Sequence, residues 1–322
     1  MQVTATTSSR SRALVTGAGG FMGRHLVASL QSRGYEVFGS GRGPQPAELV
    51  LHGWMHGDLR DDGFAADLVR ATRPTHVFHL AGVFGRTAAD RRVLFDTHVL
   101  GTADLLDAVV AESLTTWVCV SSSSAVYGPR ETQPIPETGA VRPLNDYGVS
   151  KAAEELVAAR FRLSEGLTCC ALRLFNLVGP GLSDALVISA LARQVATQEL
   201  GGHGVVYVGN LEPRRDFLDV RDAVRAIVDL ADLRCGEPLV NIGSGRSRSV
   251  RHCLDLLLAG ARRTLSYEID PGRVRRHEIP DQRADVSLLT RLTRWSPTIE
   301  LSASLGDLLA HWRDRVSREV GR

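Results

Sequence analysis

Near the start of the chain, an apolar segment, a glycine-rich turn and an amphipathic segment follow one another, in VTGAGGFMGRHL at residues 15–26. The apolar residues predict a buried strand, and the residues after the turn predict a helix. Gly17, Gly20 and Gly23 recur at every third position. Such glycines allow a tight turn, a close approach to a pyrophosphate and close packing of the helix, whose N-terminus faces the phosphates. The segment therefore predicts a dinucleotide-binding turn.

Apolar runs and amphipathic stretches continue to alternate through the first half of the chain. The predicted strands are 12–17, 35–40, 75–82, 115–123 and 167–175, and the predicted helices are 21–34, 61–74, 90–112 and 147–164. Alternating strands and helices with many β-branched residues are typical of a parallel sheet with helices on both faces. The predicted fold class is α/β, a doubly wound parallel sheet of the Rossmann type with a smaller, discontinuous α/β lobe.

The alternation of strands and helices becomes less regular after residue 175, where a loop predicted over 176–184 is followed by shorter elements. We expect residues 1–11 to be a frayed tail. The dinucleotide-binding domain is predicted to cover 12–175, with a return segment near 216–245. The substrate lobe is predicted to comprise 176–215 and 246–322.

Composition restricts the class of protein. The 322 residues carry a formal net charge of +2, which gives no argument for binding nucleic acid. No apolar run approaches the roughly 20 residues of a membrane-spanning helix, and the polar N-terminus does not resemble a signal peptide. Five cysteines without C-x-x-C spacing favour neither a disulfide framework nor a zinc site, so no metal is expected. These features predict a cytoplasmic protein with reduced thiols.

A tyrosine and a lysine stand four residues apart in NDYGVSKAAEEL, at residues 145–156. On a helix, Tyr147 and Lys151 would share one face. A neighbouring ammonium stabilises a phenolate, which makes the tyrosine hydroxyl a better proton donor near neutral pH. The pair alone decides nothing, because this spacing also occurs by chance in ordinary helices.

The G-x-x-G-x-x-G spacing resembles that of the short-chain dehydrogenase/reductase superfamily, as do HGDLRD (56–61), HLAG (79–82) and SSSSAVYG (121–128). The resemblance implies that Tyr147 and Lys151 are catalytic. The cofactor-binding residues that it implies are Gly17, Gly20, Phe21, Met22, Gly23, Asp58, Leu59, Leu80, Ala81, Gly82, Tyr147 and Lys151.

The end of the second predicted strand bears on the choice of cofactor. An acidic residue at this position would accept hydrogen bonds from the ribose of NAD and repel a 2′-phosphate. The sequence VFGSGRG (37–43) offers Ser40 and Arg42 and no carboxylate. Arginine suits a phosphate by charge and geometry, although an exposed arginine is often only a solvated charge. NADP(H) is therefore favoured, and NAD(H) is possible.

The serine of the superfamily stands four residues before the tyrosine of VYG, which implies Ser123 as the third catalytic residue. Ser121, Ser122 and Ser124 are the alternatives, because a serine at a strand end often only satisfies backbone groups. Dehydratases of the superfamily resemble the pattern T-D-E before VYG. Ser124 and Ala125 occupy the acidic positions here, which argues against a 4,6-dehydratase.

One position departs from the pattern of the relatives. Relatives commonly read N-V-x-G-T after the third strand, whereas this chain reads HVLGT at 98–102. His98 could replace the asparagine as a donor with a charge that depends on pH. An ordinary packed histidine is an equal alternative, and we do not count His98 as catalytic.

The second half resembles the extended, nucleotide-sugar subgroup of the superfamily in RLFNLVGPG (173–181) and VGNLEPRRDFLDVRD (208–222). The resemblance implies that Asn176, Arg215 and Arg276 contact the substrate diphosphate. Bidentate arginines give such a group both affinity and orientation. The pattern from about residue 12 to 316 is most similar to that of the GDP-4-keto-6-deoxy-D-mannose reductases.

The resemblance implies an enzyme that reduces the C4 ketone of a nucleotide-diphosphate sugar, with Tyr147 as proton donor. A 4-epimerase with retained NAD uses the same residues and stays open. A dinucleotide-binding sensor without chemistry is a third reading, which the Tyr147–Lys151 pair disfavours. The relatives also imply a homodimer that pairs the helices at 90–112 and 147–164.

Overall fold

The structure is a computed structural model that describes residues 11–84, 90–274 and 278–320. The predicted tail at 1–11 lies outside the described residues, apart from Ser11. The strands in chain order are β1 (Arg12–Thr16), β2 (Glu36–Gly41), β3 (Gly53–His56), β4 (His76–His79), β5 (Trp117–Ser123), β6 (Cys169–Leu174), β7 (Asn176–Val178), β8 (Val205–Val208), β9 (Arg214–Asp219), β10 (Leu239–Ile242), β11 (Ser247–Ser249), β12 (Ser266–Ile269) and β13 (Asp281–Gln282).

The helices connect these strands and close the chain. They are α1 (Phe21–Ser32), α2 (Phe64–Thr72), α3 (Arg91–Phe95), α4 (Gly101–Glu112), α5 (Asp146–Glu165), α6 (Val187–Leu200), α7 (Val220–Asp232), α8 (Val250–Ala259), α9 (Ser287–Thr293) and α10 (Leu301–Val320). The predicted helix at 90–112 is not uniform, because a π-helical turn at Asp96–Leu100 separates α3 from α4.

A seven-stranded sheet has the order β10-β6-β5-β4-β1-β2-β3. β1 pairs in parallel with β2 on one side and with β4 on the other. The chain therefore winds outward from β1 in one direction and then from β4 in the other, which confirms the doubly wound parallel sheet. The sequence did not indicate β3, a short strand that pairs with β2.

Apolar side chains of the sheet pack against three helices. Leu14 of β1 and Val77 of β4 are fully buried together with Leu68 of α2, Leu105 of α4 and Phe161 of α5. Each helix contributes residues three or four positions apart, the spacing of one helix face. Burial of each such side chain contributes roughly 1.5–3 kcal/mol.

Smaller sheets follow in the second half of the chain. One has the order β11-β9-β13, with β7 also paired to β9, and the other pairs β12 with β8. The loop predicted over 176–184 was therefore wrong at its start, because Asn176–Val178 forms β7 and pairs in parallel with β9. A three-residue strand carries too short a pattern to be recognised from the sequence.

The chain forms two compact units. The first comprises Met1–Ser121, Ser150–Ala171 and Ala231–Pro238. The second comprises Ser122–Val149, Leu172–Leu230 and Leu239–Arg322. The functional domain boundaries given by the sequence differ from this division and stay a prediction.

Candidate active site

The glycine turn joins β1 to α1. Backbone N–H groups of Gly17 and Ala18 donate to the carbonyl oxygen of Ser40, at 2.9 and 3.2 Å. Gly17 has φ +70°, and a Cβ there would lie 2.9 Å from the backbone nitrogen of Ala81. A Cβ at Gly23 would lie 2.4 Å from the carbonyl oxygen of Gly17. Both positions therefore exclude a side chain.

The turn lies where the strand order reverses, between β1 and β4, which is where open α/β sheets bind ligands. Phe21 and Met22 are the first residues of α1 and are half-buried. Within the described residues, the helix start has no side-chain cap and no acidic residue in its first turn. Its backbone N–H groups therefore suit an anion such as a pyrophosphate.

Four further predicted positions follow β3 and β4 at the same edge of the sheet. Leu80 and Ala81, which follow β4, are half-buried. Asp58 follows β3, and its carboxylate is held by the Arg60 guanidinium, with nitrogen–oxygen distances of 3.0 and 2.6 Å. The hydrogen bond from Arg60 is the main reason that the pKa of Asp58 is lowered. Leu59 packs into the core, and its cofactor role stays a prediction.

The end of β2 presents one exposed and one buried candidate. Arg42 is exposed, whereas Ser40 is 2% exposed. The charge of Arg42 contributes to lowering the pKa of Asp58, after the larger effect of Arg60. The Arg42 guanidinium is therefore accessible to a phosphate, while a contact from the Ser40 hydroxyl would need this strand end to open.

Tyr147 lies in the first turn of α5 and is half-buried. The side-chain oxygen of Asn145 accepts from the backbone N–H of Gly148 at 2.8 Å, so Asn145 caps the helix. A Cβ at Gly148 would lie 2.8 Å from the carbonyl oxygen of Ala125. The helix start that carries Tyr147 is therefore packed tightly against the turn that follows Ser123.

The four consecutive serines differ in burial. Ser121, Ser122 and Ser124 are 8, 2 and 6% exposed, whereas Ser123 is half-buried. The hydroxyl of Ser124 donates to the side-chain oxygen of Gln282 at 3.2 Å, and the oxygen of Ser123 accepts from the backbone N–H of Ala125. This arrangement supports Ser123 as the accessible member, and its catalytic role stays a prediction.

Lys151 is 3% exposed and lies one helical turn after Tyr147. Its Nζ donates to the carbonyl oxygen of Ser121, near the end of β5, at 2.8 Å. A Cβ at Gly82 would lie 3.6 Å from this Nζ, so the exposed backbone after β4 passes close to the ammonium. The lysine head is thus held beside the predicted cofactor segment.

A buried glutamate that the sequence did not indicate adjoins Lys151. Glu154 is fully buried, and its Oε2 lies 2.7 Å from Lys151 Nζ, off the direction of an aligned hydrogen bond. Its Oε1 accepts from the hydroxyl of Thr102 at 3.3 Å. Burial raises the pKa of Glu154 to about 7, against the opposing effect of Lys151. The i, i+3 spacing from the lysine was the available signal.

His98 lies on the π-helical turn and is fully buried. Its Nε2 accepts from the backbone N–H of Val83 at 3.1 Å, so Nδ1 donates to the hydroxyl of Ser150 at 2.9 Å. Burial, and next the charge of Lys151, lower the pKa of His98 to about 2. His98 is therefore a neutral, packed histidine near neutral pH.

Two of the three residues predicted to contact the diphosphate lie on neighbouring strands. Asn176 of β7 donates through its amide to the carbonyl oxygen of Asp216 at 3.4 Å. Arg215 of β9 donates through Nη1 to the carbonyl oxygen of Ile279 at 2.6 Å. Arg276 lies outside the described residues. The diphosphate contacts of all three stay a prediction.

The sequence also missed a buried carboxylate next to Arg215. Asp216 is fully buried and accepts from the backbone N–H groups of Ser244, Gly245 and Ala284, at 2.7, 2.9 and 3.1 Å. It joins the loop after β10 and the segment after β13 to β9. Asp216 therefore fixes the backbone from which Arg215 extends.

No described helix is long and apolar enough to cross a membrane. No group of three or more histidine, cysteine and acidic residues is arranged to hold a metal ion in the part of the chain that the structure describes.

The model of the NAD dependent epimerase/dehydratase family matches residues 13–243. The chain belongs to this family. It is therefore an extended short-chain dehydrogenase/reductase, as its glycine turn and its tyrosine–lysine pair predict.

Individual relatives show the range of the family. The chain is 33% identical to GDP-6-deoxy-D-mannose reductase of Pseudomonas aeruginosa, over 96% of this chain and 99% of the relative. The structure of RMD from Pseudomonas aeruginosa complexed with NADPH has a TM-score of 0.83 at 32% identity, covering 95% of this chain and 99% of that one. Thermus thermophilus UDP-glucose 4-epimerase in complex with NAD has a TM-score of 0.81 at 27% identity, covering 94 and 99%.

Proposed function

We propose that this protein is an NADPH-dependent reductase of a nucleotide-linked 4-keto-6-deoxyhexose, of the GDP-4-keto-6-deoxymannose type. The observation that carries the proposal is the 33% identity to GDP-6-deoxy-D-mannose reductase over nearly the full length of both chains. The NADPH complex of the similar Pseudomonas aeruginosa structure and the exposed Arg42 at the end of β2 support NADPH as the cofactor. NADH is the second candidate donor, since the similar Thermus thermophilus structure holds NAD.

The residues of the turn fit a dinucleotide. Gly17 and Gly23 exclude side chains, and the start of α1 offers backbone N–H groups to a pyrophosphate. Arg42 would bind the 2′-phosphate. The bound cofactor supplies a hydride for the C4 carbon of the sugar.

The protein's own residues would then supply the proton for the C4 oxygen. Tyr147 donates its hydroxyl proton to the C4 oxygen, and Ser123 holds this oxygen by a hydrogen bond. Lys151 stabilises the phenolate that remains on Tyr147. Asn176 and Arg215 hold the diphosphate, which keeps the ketone in place. Positioning and charge stabilisation of this kind account for much of the rate of such enzymes.

A reductase assay tests this function. The purified protein is incubated with NADPH and a panel of GDP-, TDP- and UDP-linked 4-keto-6-deoxy sugars, and consumption of NADPH is followed by absorbance. We expect stoichiometric reduction of a GDP-linked ketone, with the configuration at C4 of the product read by NMR. No consumption of NADPH with any member of the panel would contradict the proposal.

A 4-epimerase is the second candidate, favoured by the similarity to the Thermus thermophilus UDP-glucose 4-epimerase. An epimerase oxidises and reduces C4 in one cycle, so it needs no net hydride donor. Protein that is purified with bound NAD, and that interconverts UDP-glucose and UDP-galactose without added cofactor, would support this candidate over the reductase.

A further inference from the structure

Lys151 is the only lysine among the 38 lysine and arginine residues of the chain. The guanidinium of arginine does not lose its proton in proteins, whereas a buried ammonium titrates readily. Lys151 therefore supplies the one ammonium side chain of the sequence. The groups around this ammonium determine how it is held.

This ammonium forms an ion pair with the carboxyl of Glu154. Both side chains are almost completely buried, and Nζ lies 2.7 Å from Oε2. Two charges removed from water cost more free energy than an apolar pair of the same size, so a buried ion pair is weak evidence for a role in stability. The presence of this buried ion pair therefore suggests a role other than stabilising the fold.

The hydrogen-bond partners of Glu154 suit a charged carboxylate. With Glu154 ionised, Thr102 donates its one hydroxyl hydrogen to Glu154 Oε1, and the Thr102 oxygen accepts from His79 Nε2, at 2.9 Å. A neutral His79 that donates at Nε2 must accept at Nδ1, where the hydroxyl of Thr16 lies at 2.8 Å. All of these hydrogens therefore point towards Glu154.

Burial opposes this arrangement, and Glu154 is left between its two protonation states near neutral pH. Burial raises its pKa to about 7, while Lys151 and the hydroxyl of Thr102 act to lower it. Glu155, the next residue of α5, adds a smaller effect in the raising direction. The Lys151–Glu154 pair is thus neutral when the carboxyl is ionised and carries one positive charge when it is protonated.

We infer that Glu154 is a positioning residue of the active site, which fixes the Lys151 ammonium at the end of β5 and sets the net charge of the pair that follows Tyr147 by one turn of α5. The catalytic part of this inference rests on the proposed function. A positive pair favours the phenolate of Tyr147, so proton donation by Tyr147 depends on the state of Glu154. Turnover should therefore change with pH around the titration of this carboxyl.

The histidines near the pair do not titrate in the same range. Burial, and next the charge of Lys151, lower the pKa of His79 to about 3 and that of His98 to about 2. Both stay neutral between about pH 5 and pH 9. Burial likewise raises the pKa of the Cys169 thiol of β6 to about 12. These three groups therefore do not account for a step near pH 7 at Lys151, and the Glu154→Gln variant assigns such a step to the carboxyl.

The single lysine makes a direct test possible. Protein labelled with ¹³C at the lysine ε-carbon gives one side-chain signal, which is followed by NMR from about pH 5 to pH 9. We expect the wild-type signal to shift in a step near pH 7, and the step to be absent in Glu154→Gln. The matched control Glu155→Gln, one residue further along α5, should keep the step.

A second variant covers the case in which Glu154→Gln does not fold. Thr102→Val removes the hydroxyl that donates to Glu154 Oε1 and keeps the shape of the side chain. The step should then move to higher pH, because the charged carboxylate loses a hydrogen bond. A wild-type signal without a step, a step that persists in Glu154→Gln, or a step unmoved in Thr102→Val would overturn the inference.

Kinetics separate this inference from the proposed function. In the reductase assay, Glu154→Gln should lower kcat by about ten- to a hundredfold, leave the KM for the nucleotide sugar unchanged, and remove the inflection of kcat near pH 7. Turnover with an unchanged pH profile would overturn the role of Glu154 and leave the function standing. A wild-type protein that reduces no substrate would end the proposed function, while the pH dependence of the lysine NMR signal still decides whether Glu154 controls the pair.

Discussion

Gly23 lies directly against Gly17, so that a Cβ on the first would come within 2.4 Å of the carbonyl oxygen of the second. Helix α1 therefore packs on the end of β1 at backbone distance. Gly23→Ala should force the helix away from the turn, with a loss of about 1–3 kcal/mol in the free energy of unfolding and weaker binding of NADPH. Chemical denaturation and fluorescence titration measure the two effects.

The control for this prediction is Gly306→Ala. Gly306 is also a helical glycine, in α10, but nothing lies within 4 Å of the Cβ that alanine would add. Alanine should therefore stabilise the helix there by roughly 0.5–1 kcal/mol. Equal effects of the two substitutions would show that the contact with Gly17 is not limiting.

Tyr147→Phe tests the proton donor. Removal of the hydroxyl should lower kcat on the order of 10²- to 10⁴-fold without loss of folding, because only the proton transfer is affected. The control is Tyr207→Phe, at an exposed tyrosine of β8, which should retain full turnover. Unchanged turnover in Tyr147→Phe would remove Tyr147 from the mechanism.

Arg42→Ala tests the choice of cofactor. A charge-assisted contact with the 2′-phosphate contributes about 1.5–3 kcal/mol, which corresponds to roughly a ten- to hundredfold preference for NADPH. The variant should therefore have a higher KM for NADPH and an almost unchanged KM for NADH in steady-state assays. Arg70→Ala, at an exposed arginine of α2, serves as the control. An equal loss with both cofactors would show that Arg42 acts elsewhere.

A homodimer through α4 and α5 stays a prediction, to which the structure adds exposed side chains. Leu156 and Leu163 lie two turns apart on α5 and are 72 and 88% exposed. An apolar stripe of this kind suits a two-fold helix contact. Light scattering should give a dimer at micromolar concentration and a monomer for Leu156→Glu/Leu163→Glu. A monomeric wild-type protein would contradict the prediction.

Asp219 predicts a pH dependence of stability. Burial acts to raise its pKa, but hydrogen bonds from Arg221 and from the hydroxyl of Ser304, at 2.7 and 2.6 Å, outweigh burial and lower it. A lowered pKa in the folded state stabilises the fold above the unfolded value of about 4, and this contribution is lost as pH falls. Asp219→Asn should therefore destabilise more at pH 7 than at pH 3.

Denaturant unfolding at the two pH values measures this difference. The exposed Asp314→Asn on α10 is the control, because its side chain is open to solvent. A cost of Asp219→Asn that does not change with pH would assign the effect to packing and not to charge.

Local patterns of the sequence were sufficient for the main elements, and they indicated part of the candidate site. The turn from β1 to α1 follows from glycines three residues apart, and the Tyr147–Lys151 pair follows from the spacing of one helical turn. These features involve contacts between residues close in the chain, so periodicity and turn chemistry encode them directly. The doubly wound sheet followed from the alternation of strands and helices.

The tertiary structure alone decided which side chains surround these residues. Glu154 is an ordinary helical glutamate in the sequence, and it becomes a buried partner of Lys151 only because Thr102 and His79 approach from α4 and β4. Asp216 likewise acquires its donors from residues 244, 245 and 284. Contacts between distant segments depend on strand order and packing, and no local pattern records them. The burial that sets the charge of Glu154 is therefore a property of the folded chain.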